Sequence, residues 1–362
     1  MPAARGWRER ALIELPPTSE LIEPAVTPLA VTRPALRRRL RWLLRLAALL
    51  LLGGLLYVAL RNAPVAEIWQ ALRGLHAWQV VLLLCVDALI YGLVTARWWL
   101  VVRAESRSVS FLPLLGVRLT AFAVSYFTLG PQVGGEPLQV LYLRRRYGLS
   151  YTRSTASVLM DKLFELLGNF ALLSFGMAAV LNSGILLGVP GVSFFSLAAL
   201  VLLISWPVVH IVLLFNHVYP MSGVLRLFAR ERRESKALRF MRACEHLAGQ
   251  FCQRHPREMT GGVVVSLIAA IITVSEYALI ASFLQIGLPF WQLVTAWTSG
   301  WLSFLIPLPG GLGALEASQV SVLGFFGVSA ATAIGVTLIM RGRDLLIGGL
   351  GLLLAGHAAG RG

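Results

Sequence analysis

Charged side chains are scarce in this chain, and two charged residue types are nearly missing. Among 362 residues the only lysines are Lys162 and Lys236, and the only aspartates are Asp87, Asp161 and Asp344. Charged residues make up 14% of the chain and hydrophobic residues 57%, whereas soluble domains hold about 25% and about 45–50%. This balance excludes an ordinary soluble globular protein and predicts a membrane protein.

Cysteine is also rare, and several motifs of enzymes are missing. The three cysteines, Cys85, Cys244 and Cys252, are too few for a disulfide framework. His246 and His255 lie near the last two, but their spacing matches no zinc motif. The sequence contains no G-x-x-x-x-G-K-S/T phosphate loop, no H-E-x-x-H motif and no D-x-D pair. We therefore expect no metal site, no cofactor and no catalytic residue.

What the chain does contain is long apolar runs, several of them close to the roughly 20 residues that cross the hydrocarbon core of a bilayer. The clearest runs are 42–60, 80–102, 163–181, 194–215, 263–283 and 330–354. The first begins too late for a signal peptide, so we interpret it as a retained span. The sequence predicts an all-α polytopic membrane protein, because helices satisfy their own backbone groups in lipid.

The basic residues indicate how the chain is oriented in the membrane. The formal net charge is +15, and the positive-inside rule explains this excess better than nucleic-acid binding, which we do not expect. Basic clusters lie at 37–41, 97–107, 144–146 and 226–257. The last cluster has apolar residues at helical spacing, which predicts a basic amphipathic helix over 221–258 on the cytoplasmic surface. We expect residues 1–36 to form a disordered basic tail.

Two segments rich in proline and glycine interrupt the apolar pattern. They read PQVGGEP at 131–137 and PGGLGALE at 309–316. If 111–129 crossed the membrane completely, the basic clusters that follow would lie outside, against the positive-inside rule. A re-entrant hairpin around 111–147, and another around 290–327 from the opposite face, keep every basic cluster cytoplasmic. We therefore expect about six full transmembrane helices plus two opposed re-entrant helical hairpins, with both termini in the cytoplasm.

The two hairpins also align with each other. Placing Glu136 on Glu316 brings Gly148–Ser150 within one residue of Gly327–Ser329. This predicts an inverted repeat, with a first membrane half at 37–220 and a second at 259–362. The residues that we assign to the two re-entrant turns are Pro131, Gly134, Gly135, Pro309, Gly310, Gly311 and Gly313. Such turns survive at membrane depth only where protein or a water-filled cavity satisfies their backbone groups.

Charged residues inside the apolar runs are the second functional signal. A charge at the bilayer centre costs several kcal/mol, so these side chains are expected to face the interior and pair or line an aqueous path. The candidate substrate-binding residues are Glu136, Asp161, Lys162, Glu165, Glu316, Arg341 and Arg343. Purely structural ion pairs are the alternative reading of this set. Asp87 and Arg97 carry less weight, because Arg97 stands beside Trp98 and Trp99, which are typical membrane-interface anchors.

The stretches GPQVGGEP and LMDKLFE, with PLPGGLGALEAS and MRGRD, resemble the paired signatures of the lysylphosphatidylglycerol synthase transmembrane-domain family. This is the flippase-like membrane half of bacterial multiple-peptide-resistance factors, which also occurs as stand-alone proteins. The resemblance covers residue 37 to the end. It implies a protein of the bacterial plasma membrane that handles phospholipids or lipid-linked sugars. Two positions depart from the family pattern, since Lys162 and Gln139 stand where arginine is usual or frequent.

Three functions remain open on the sequence. The first is a lipid translocase that moves a phospholipid or lipid-linked headgroup, anionic or amphoteric, between leaflets through a central polar cavity. The second is a membrane-embedded transferase that acts on a lipid-linked sugar. The third is a non-catalytic partner of a lipid-modifying enzyme, although such a partner has little need of costly intramembrane charges. No feature of the sequence specifies an oligomeric state.

Overall fold

The computed structural model describes residues 73–127, 134–183, 192–228, 236–304, 311 and 313–360, and all regular structure within these ranges is helical. In chain order the helices are α1 (Ala77–Glu105), α2 (Phe111–Phe127), α3 (Glu136–Tyr147), α4 (Tyr151–Asn182), α5 (Val192–Phe215), α6 (Pro220–Phe228), α7 (Lys236–Arg254), α8 (Pro256–Phe283), α9 (Phe290–Ser303), α10 (Ala314–Phe325) and α11 (Ala330–Gly360). The predicted all-α class is confirmed.

Three of these helices, α1, α4 and α8, are long and apolar enough to cross a membrane. They contain the predicted runs 80–102, 163–181 and 263–283, and α5 and α11 contain the runs 194–215 and 330–354. A shorter apolar stretch occupies α2 and another lies at 205–215. The protein is therefore a multi-pass membrane protein. The predicted first span at 42–60 and the tail at 1–36 lie outside the described residues.

The same residue types, a glycine and then a serine, stand between α3 and α4 and between α10 and α11. Gly148 ends α3 with φ 67°, and Gly327 follows α10 with φ 84°, a conformation that glycine adopts without steric cost. Ser150 then accepts a hydrogen bond from Arg153 N at 3.3 Å as α4 begins. In the same way the Ser329 hydroxyl accepts from Thr332 N at 3.2 Å as α11 begins. These side chains satisfy N–H groups that the first helical turn leaves free.

Helix α4 lies at the centre and contacts α1, α3, α5, α7, α8 and α9, while α1 packs along α8 and α2 packs along α11. Small residues allow the backbones to approach closely, as in other membrane helix pairs. At Gly351 of α11, an added Cβ would lie 2.2 Å from the Leu119 carbonyl oxygen of α2. The Thr120 hydroxyl adds a hydrogen bond of 3.1 Å to the Gly351 carbonyl oxygen.

The environment of Trp98 differs from our expectation. Instead of anchoring at the membrane interface, Trp98 is completely buried among α1, α2, α3 and α4, together with Val102 and Leu143. Its neighbour Trp99 donates its indole N–H to the Val109 carbonyl oxygen at 2.9 Å. The expectation was wrong because a tryptophan near the end of an apolar run was assumed to face lipid headgroups. Packing against neighbouring helices decides the position instead.

The segment predicted as one amphipathic helix over 221–258 contains two helices, α6 and α7, with α8 beginning at Pro256. The completely buried Glu245 of α7 accepts hydrogen bonds from Met221 N at 2.7 Å and Ser222 N at 2.9 Å, so it satisfies backbone N–H groups in the first turn of α6.

Burial raises the pKa of the Cys244 thiol to about 12 and that of Cys252 to about 11. Thiols of this kind pack as small apolar side chains and are poor metal ligands.

Replacing Gly351 by alanine should destabilise the protein by about 1–3 kcal/mol, because the new methyl group forces α11 away from α2. Gly349→Ala is the matched control two residues away, since an added Cβ there meets no atom of the described residues within 4 Å. The better helix propensity of alanine should leave stability equal or slightly higher. Thermal unfolding of the purified proteins in detergent measures the difference. Equal stability of the two variants would contradict the close packing of α2 and α11.

Candidate functional site

A cavity of about 310 Å³ lies among α1, α2, α3, α4, α8, α11 and the end of α9. This volume is at the lower end of the range for small-molecule sites. Ten of the described residues that line it carry a formal charge: Asp87, Arg97, Arg118, Glu136, Asp161, Lys162, Glu165, Glu276, Arg343 and Asp344. They form two groups, one balanced in charge and one acidic.

The balanced cluster consists of Arg97, Arg118, Glu136, Asp161, Lys162 and Glu165. At its centre the buried Asp161 of α4 binds two guanidinium groups, because Arg97 Nε lies 2.7 Å from Oδ1 and Arg118 Nη1 lies 2.5 Å from Oδ2. Both arginines also approach Glu165 Oε2, each at 3.4 Å. Arg97 further donates to the Ser266 hydroxyl at 3.3 Å. Asp161 and Glu165 therefore tie α1 and α2 to α4, and Arg97 extends the link to α8.

Lys162 and Glu136 form the accessible edge of the balanced cluster. Lys162 Nζ lies 2.8 Å from Glu165 Oε1 and 3.4 Å from Glu136 Oε1. The two side chains are 30% and 28% exposed, whereas Asp161 is 2% exposed. Glu136 also accepts a hydrogen bond from Gly134 N at 2.8 Å, so its carboxylate holds the backbone just before α3. A ligand that enters the cavity from this edge meets the ammonium group of Lys162 before the buried arginines.

The acidic cluster consists of Asp87, Glu276, Arg343 and Asp344. Arg343 Nη1 of α11 lies 2.5 Å from Glu276 Oε1 of α8. The same guanidinium donates from Nε to Asp344 Oδ1 at 3.0 Å, and its Nη2 lies 2.9 Å from that oxygen. Asp87 Oδ1 of α1 lies 3.6 Å from Arg343 Nε, beyond the usual hydrogen-bond length. One guanidinium thus faces three carboxyl groups from three helices.

The two clusters lie at different depths of one cavity. Asp87 and Arg97 are ten residues apart on α1, which at 1.5 Å per residue separates them by about 15 Å along the helix axis. On α8 the order is reversed, because Ser266 meets Arg97 whereas Glu276 belongs with Asp87 in the acidic cluster. Helices α1 and α8 are therefore antiparallel. The charged groups extend along the cavity rather than gather at one point.

Aromatic side chains complete the cavity wall. Tyr91, Phe122, Trp301 and Phe304 all line it, and the rings of Tyr91 and Phe122 meet edge to face with centroids 5.6 Å apart. Aromatic faces accept both apolar groups and cations. The cavity therefore suits a ligand that combines charged and apolar parts better than it suits a small inorganic ion.

The structure brings five of the seven candidate binding residues to this cavity and separates the other two. Glu136, Asp161, Lys162, Glu165 and Arg343 line it. Glu316 and Arg341 instead bind each other, because Arg341 Nε and Nη2 donate to the two carboxylate oxygens of Glu316. Arg341 Nη2 lies 3.0 Å from Glu316 Oε2 and 3.3 Å from the Gly311 carbonyl oxygen. Glu316 also accepts from Gly313 N at 2.8 Å. This pair secures the backbone before α10, as Glu136 does before α3.

The two predicted turns lie partly outside the part of the chain that the structure describes. Pro131, Pro309 and Gly310 fall in the undescribed stretches, so their re-entrant role stays a prediction. Gly134, Gly311 and Gly313 have φ values of 140°, 64° and 79°, in the region that glycine adopts without steric cost. A Cβ added at Gly135 would lie 2.3 Å from the Ala121 carbonyl oxygen, so the start of α3 lies directly against α2.

Sequence reasoning missed five residues that complete the clusters. Arg118, Glu276 and Asp344 are not among the candidate binding residues, and Asp87 and Arg97 carry less weight there. Arg118 is the single charged residue of α2, and that isolation in an apolar helix was the available signal. The ion-pair partners of Arg97, Arg118 and Glu276 could not be predicted from the sequence, because each pair joins positions more than 40 residues apart.

Arg118→Gln should destabilise the protein by about 3–5 kcal/mol, because it leaves Asp161 with one buried guanidinium instead of two. In a double-mutant cycle with Asp161→Asn, the coupling energy should be about 1–3 kcal/mol. Denaturation in detergent measures both values. The matched control is Arg107→Gln, an exposed arginine beyond the end of α1, which should change stability by no more than about 0.5 kcal/mol. Additive effects of the two cavity mutations would contradict the pairing.

Comparisons with known proteins agree with this membrane architecture. The family model described as "Lysylphosphatidylglycerol synthase TM region" matches residues 44–351. The chain is 24% identical over 293 residues to a UPF0104 membrane protein of Methanothermobacter thermautotrophicus, covering 76% of this chain and 83% of that one. It is 23% identical over 279 residues to a UPF0104 membrane protein of Pyrococcus horikoshii, covering 72% and 80%. No solved structure matches the chain. The chain belongs to the lysylphosphatidylglycerol synthase TM region family of integral membrane proteins.

Proposed function

We propose that this protein is a lipid translocase of the bacterial plasma membrane, which moves a phospholipid or lipid-linked headgroup between leaflets. The observation that carries the proposal is the cavity, whose wall holds ten charged side chains in a chain with only 14% charged residues. Each buried charge in hydrocarbon costs several kcal/mol. Helix packing alone needs far fewer buried charges, so a polar path through the membrane accounts best for these charged side chains.

The headgroup travels through the cavity while the acyl chains stay in the bilayer. Lys162 and Arg118 meet the phosphate near the accessible edge, because Lys162 is partly exposed and Arg118 lies beside the same Glu165 carboxylate. The acidic cluster lies about 15 Å deeper along α1 and offers carboxyl groups. An amphoteric headgroup finds a partner for each charge, and for that reason fits the cavity better than a purely anionic one.

We further propose six full transmembrane helices and two opposed re-entrant hairpins arranged as an inverted repeat. The order of helix lengths supports it, since α1 to α4 have 29, 17, 12 and 32 residues and α8 to α11 have 28, 14, 12 and 31. The contacts between helices also support an inverted repeat. Helix α2 of the first half packs on α11 of the second half, and its counterpart α9 of the second half packs on α4 of the first. Counterparts α1 and α8 are antiparallel, as an inverted relation requires.

The basic residues support an orientation with both termini in the cytoplasm. The end of α1, the start of α4 and helix α7 meet on one side, where Arg153 lies 3.9 Å from Glu105 and the Cys244 thiol lies 3.8 Å from the Thr152 carbonyl oxygen. Arg103, Arg144, Arg145 and Arg146 occupy the last turns of α1 and α3, close in sequence to this meeting point. The positive-inside rule assigns such a side to the cytoplasm.

Reconstitution into liposomes tests the translocase directly. Wild-type protein should move headgroup-labelled fluorescent phospholipids between leaflets, as measured by quenching of the dye in the outer leaflet. Lys162→Gln should slow this movement about tenfold or more, since a hydrogen bond to a charged group is worth about 1.5–3 kcal/mol, and Lys162→Arg should retain most of it. Lys236→Gln is the control, because the only other lysine is exposed at the start of α7.

Wild-type protein that moves no headgroup, polyprenyl phosphates included, would overturn the proposal. If Lys162→Gln and Lys236→Gln both moved lipid at the wild-type rate, the balanced cluster would be structural and the headgroup path would lie elsewhere.

Cysteine accessibility tests the inverted repeat. In a background without Cys85, Cys244 and Cys252, we expect a membrane-impermeant thiol reagent to label Ser150→Cys from the cytoplasmic side and Ser329→Cys from the opposite side. Both serines are exposed and start equivalent helices, so each variant loses the same kind of helix cap. Labelling of both positions from one side is incompatible with opposed hairpins.

A further inference from the structure

The two clusters in the cavity differ in their charge balance. The balanced cluster has three basic and three acidic side chains. The acidic cluster has Arg343 and three carboxyl groups, and its formal charge is −2 when all of them are ionised. Asp87, Glu276 and Asp344 are only 5%, 2% and 9% exposed. Within the described part of the chain, two negative charges of this buried cluster have no basic partner, which is costly. The acidic cluster formed by these residues is therefore incomplete.

Asp87 is the carboxyl group of the acidic cluster that is not hydrogen-bonded to Arg343. The guanidinium of Arg343 donates its hydrogen bonds to Glu276 and Asp344, and its distance of 3.6 Å from Asp87 Oδ1 is too long for another. Asp87 Oδ2 is buried and has no hydrogen-bond partner among the residues that the structure describes. A buried polar atom without a partner calls for an explanation such as a bound ion or proton. Asp87 is therefore the carboxyl group of this cluster that needs a ligand.

The neighbours of Asp87 favour a proton over a metal ion. The carboxyl groups point toward the Arg343 guanidinium rather than toward a common centre, and no set of three acidic, His or Cys side chains in the described ranges has the geometry of a metal site. Glu276 of α8 and Asp344 of α11 both interact with Asp87. On α2 and α4 the charged groups Arg118, Asp161, Lys162 and Glu165 belong to the balanced cluster, whose Arg97 lies about 15 Å from Asp87 along the axis of α1. A proton on Asp87 turns a repelled carboxylate into a hydrogen-bond donor for Glu276.

We propose that Asp87 is a proton-binding site and that the protein couples proton movement to lipid movement through it. A proton from one aqueous side adds to the Asp87 carboxylate to form the carboxylic acid, and the same proton is then released to the other side. No further reactant takes part. This inference rests on the proposed translocase function, since the acidic cluster shares a cavity with the headgroup path.

Infrared spectroscopy of the purified full-length protein tests the proton directly, without any lipid transport. A protonated carboxyl group has its own carbonyl stretch, and ¹³C-labelled aspartate shifts only bands from aspartate, of which the chain has three. We expect one aspartate-derived band of a protonated carboxyl group at neutral pH in the wild type. Asp87→Asn should remove it. Asp161→Asn is the matched control and should keep it, because Asp161 is bound by two guanidinium groups.

The labelled wild-type protein decides the result even if Asp87→Asn fails to fold. Absence of an aspartate-derived protonated band would overturn the proton site, and a band that persists in a folded Asp87→Asn protein would assign it to another residue.

A pH gradient across liposomes tests the coupling. With one proton per lipid, a gradient of one pH unit should drive the labelled lipid to a leaflet ratio of up to about tenfold, and Asp87→Asn should abolish this asymmetry. If wild-type protein moves lipid but produces no asymmetry, coupling through Asp87 is refuted while the translocase stands. If wild-type protein moves no lipid although the band is present, the translocase fails and Asp87 remains a proton site without transport.

Discussion

The cost of placing charge in hydrocarbon is the constraint on which this structure depends. Three arginines within apolar helices each find carboxylates on other helices, and these ion pairs set how the helices meet. Arg97 joins α1 to α4 and α8, Arg118 joins α2 to α4, and Arg343 joins α11 to α8. Removing one partner leaves a buried charge uncompensated, which is far more costly than losing an exposed pair. The charged residues thus act as the fixed points around which the apolar faces pack.

The same ion pairs line a polar cavity inside a bundle of otherwise apolar helices. Because the carboxylates and guanidiniums face one another across the bundle, a cavity remains between α1, α4, α8 and α11 rather than a dry apolar core. Its two charged clusters lie at successive positions along the cavity and differ in charge balance, so the headgroup movement that we propose would expose the headgroup to different surroundings. The glutamates at the two Pro/Gly segments have a separate task. Glu136 and Glu316 each accept a backbone N–H just before a short helix.

Much of the fold was predictable from the sequence, because long apolar runs leave few alternatives to membrane helices. The pairing of Lys162 with Glu165 was predictable as well, since both lie on one face of α4 at i and i+3. Arg97 and Arg118 were harder, because their partner Asp161 is 64 and 43 residues away and no periodicity connects them. Two of the seven candidate binding residues, Glu316 and Arg341, bind each other and do not line the cavity, and nothing in the sequence separates them from the other five.

The central claim is that a lipid headgroup occupies the charged cavity during transport, and photocrosslinking tests it most directly. A phospholipid with a photoreactive group on its headgroup should label α4 and α2 at cavity residues such as Val158, Asn169 and Phe122. The same lipid with the group at the end of an acyl chain should label exposed apolar faces such as Leu89 and Ile271. Headgroup labelling confined to those outer faces, with none in the cavity, would contradict the account.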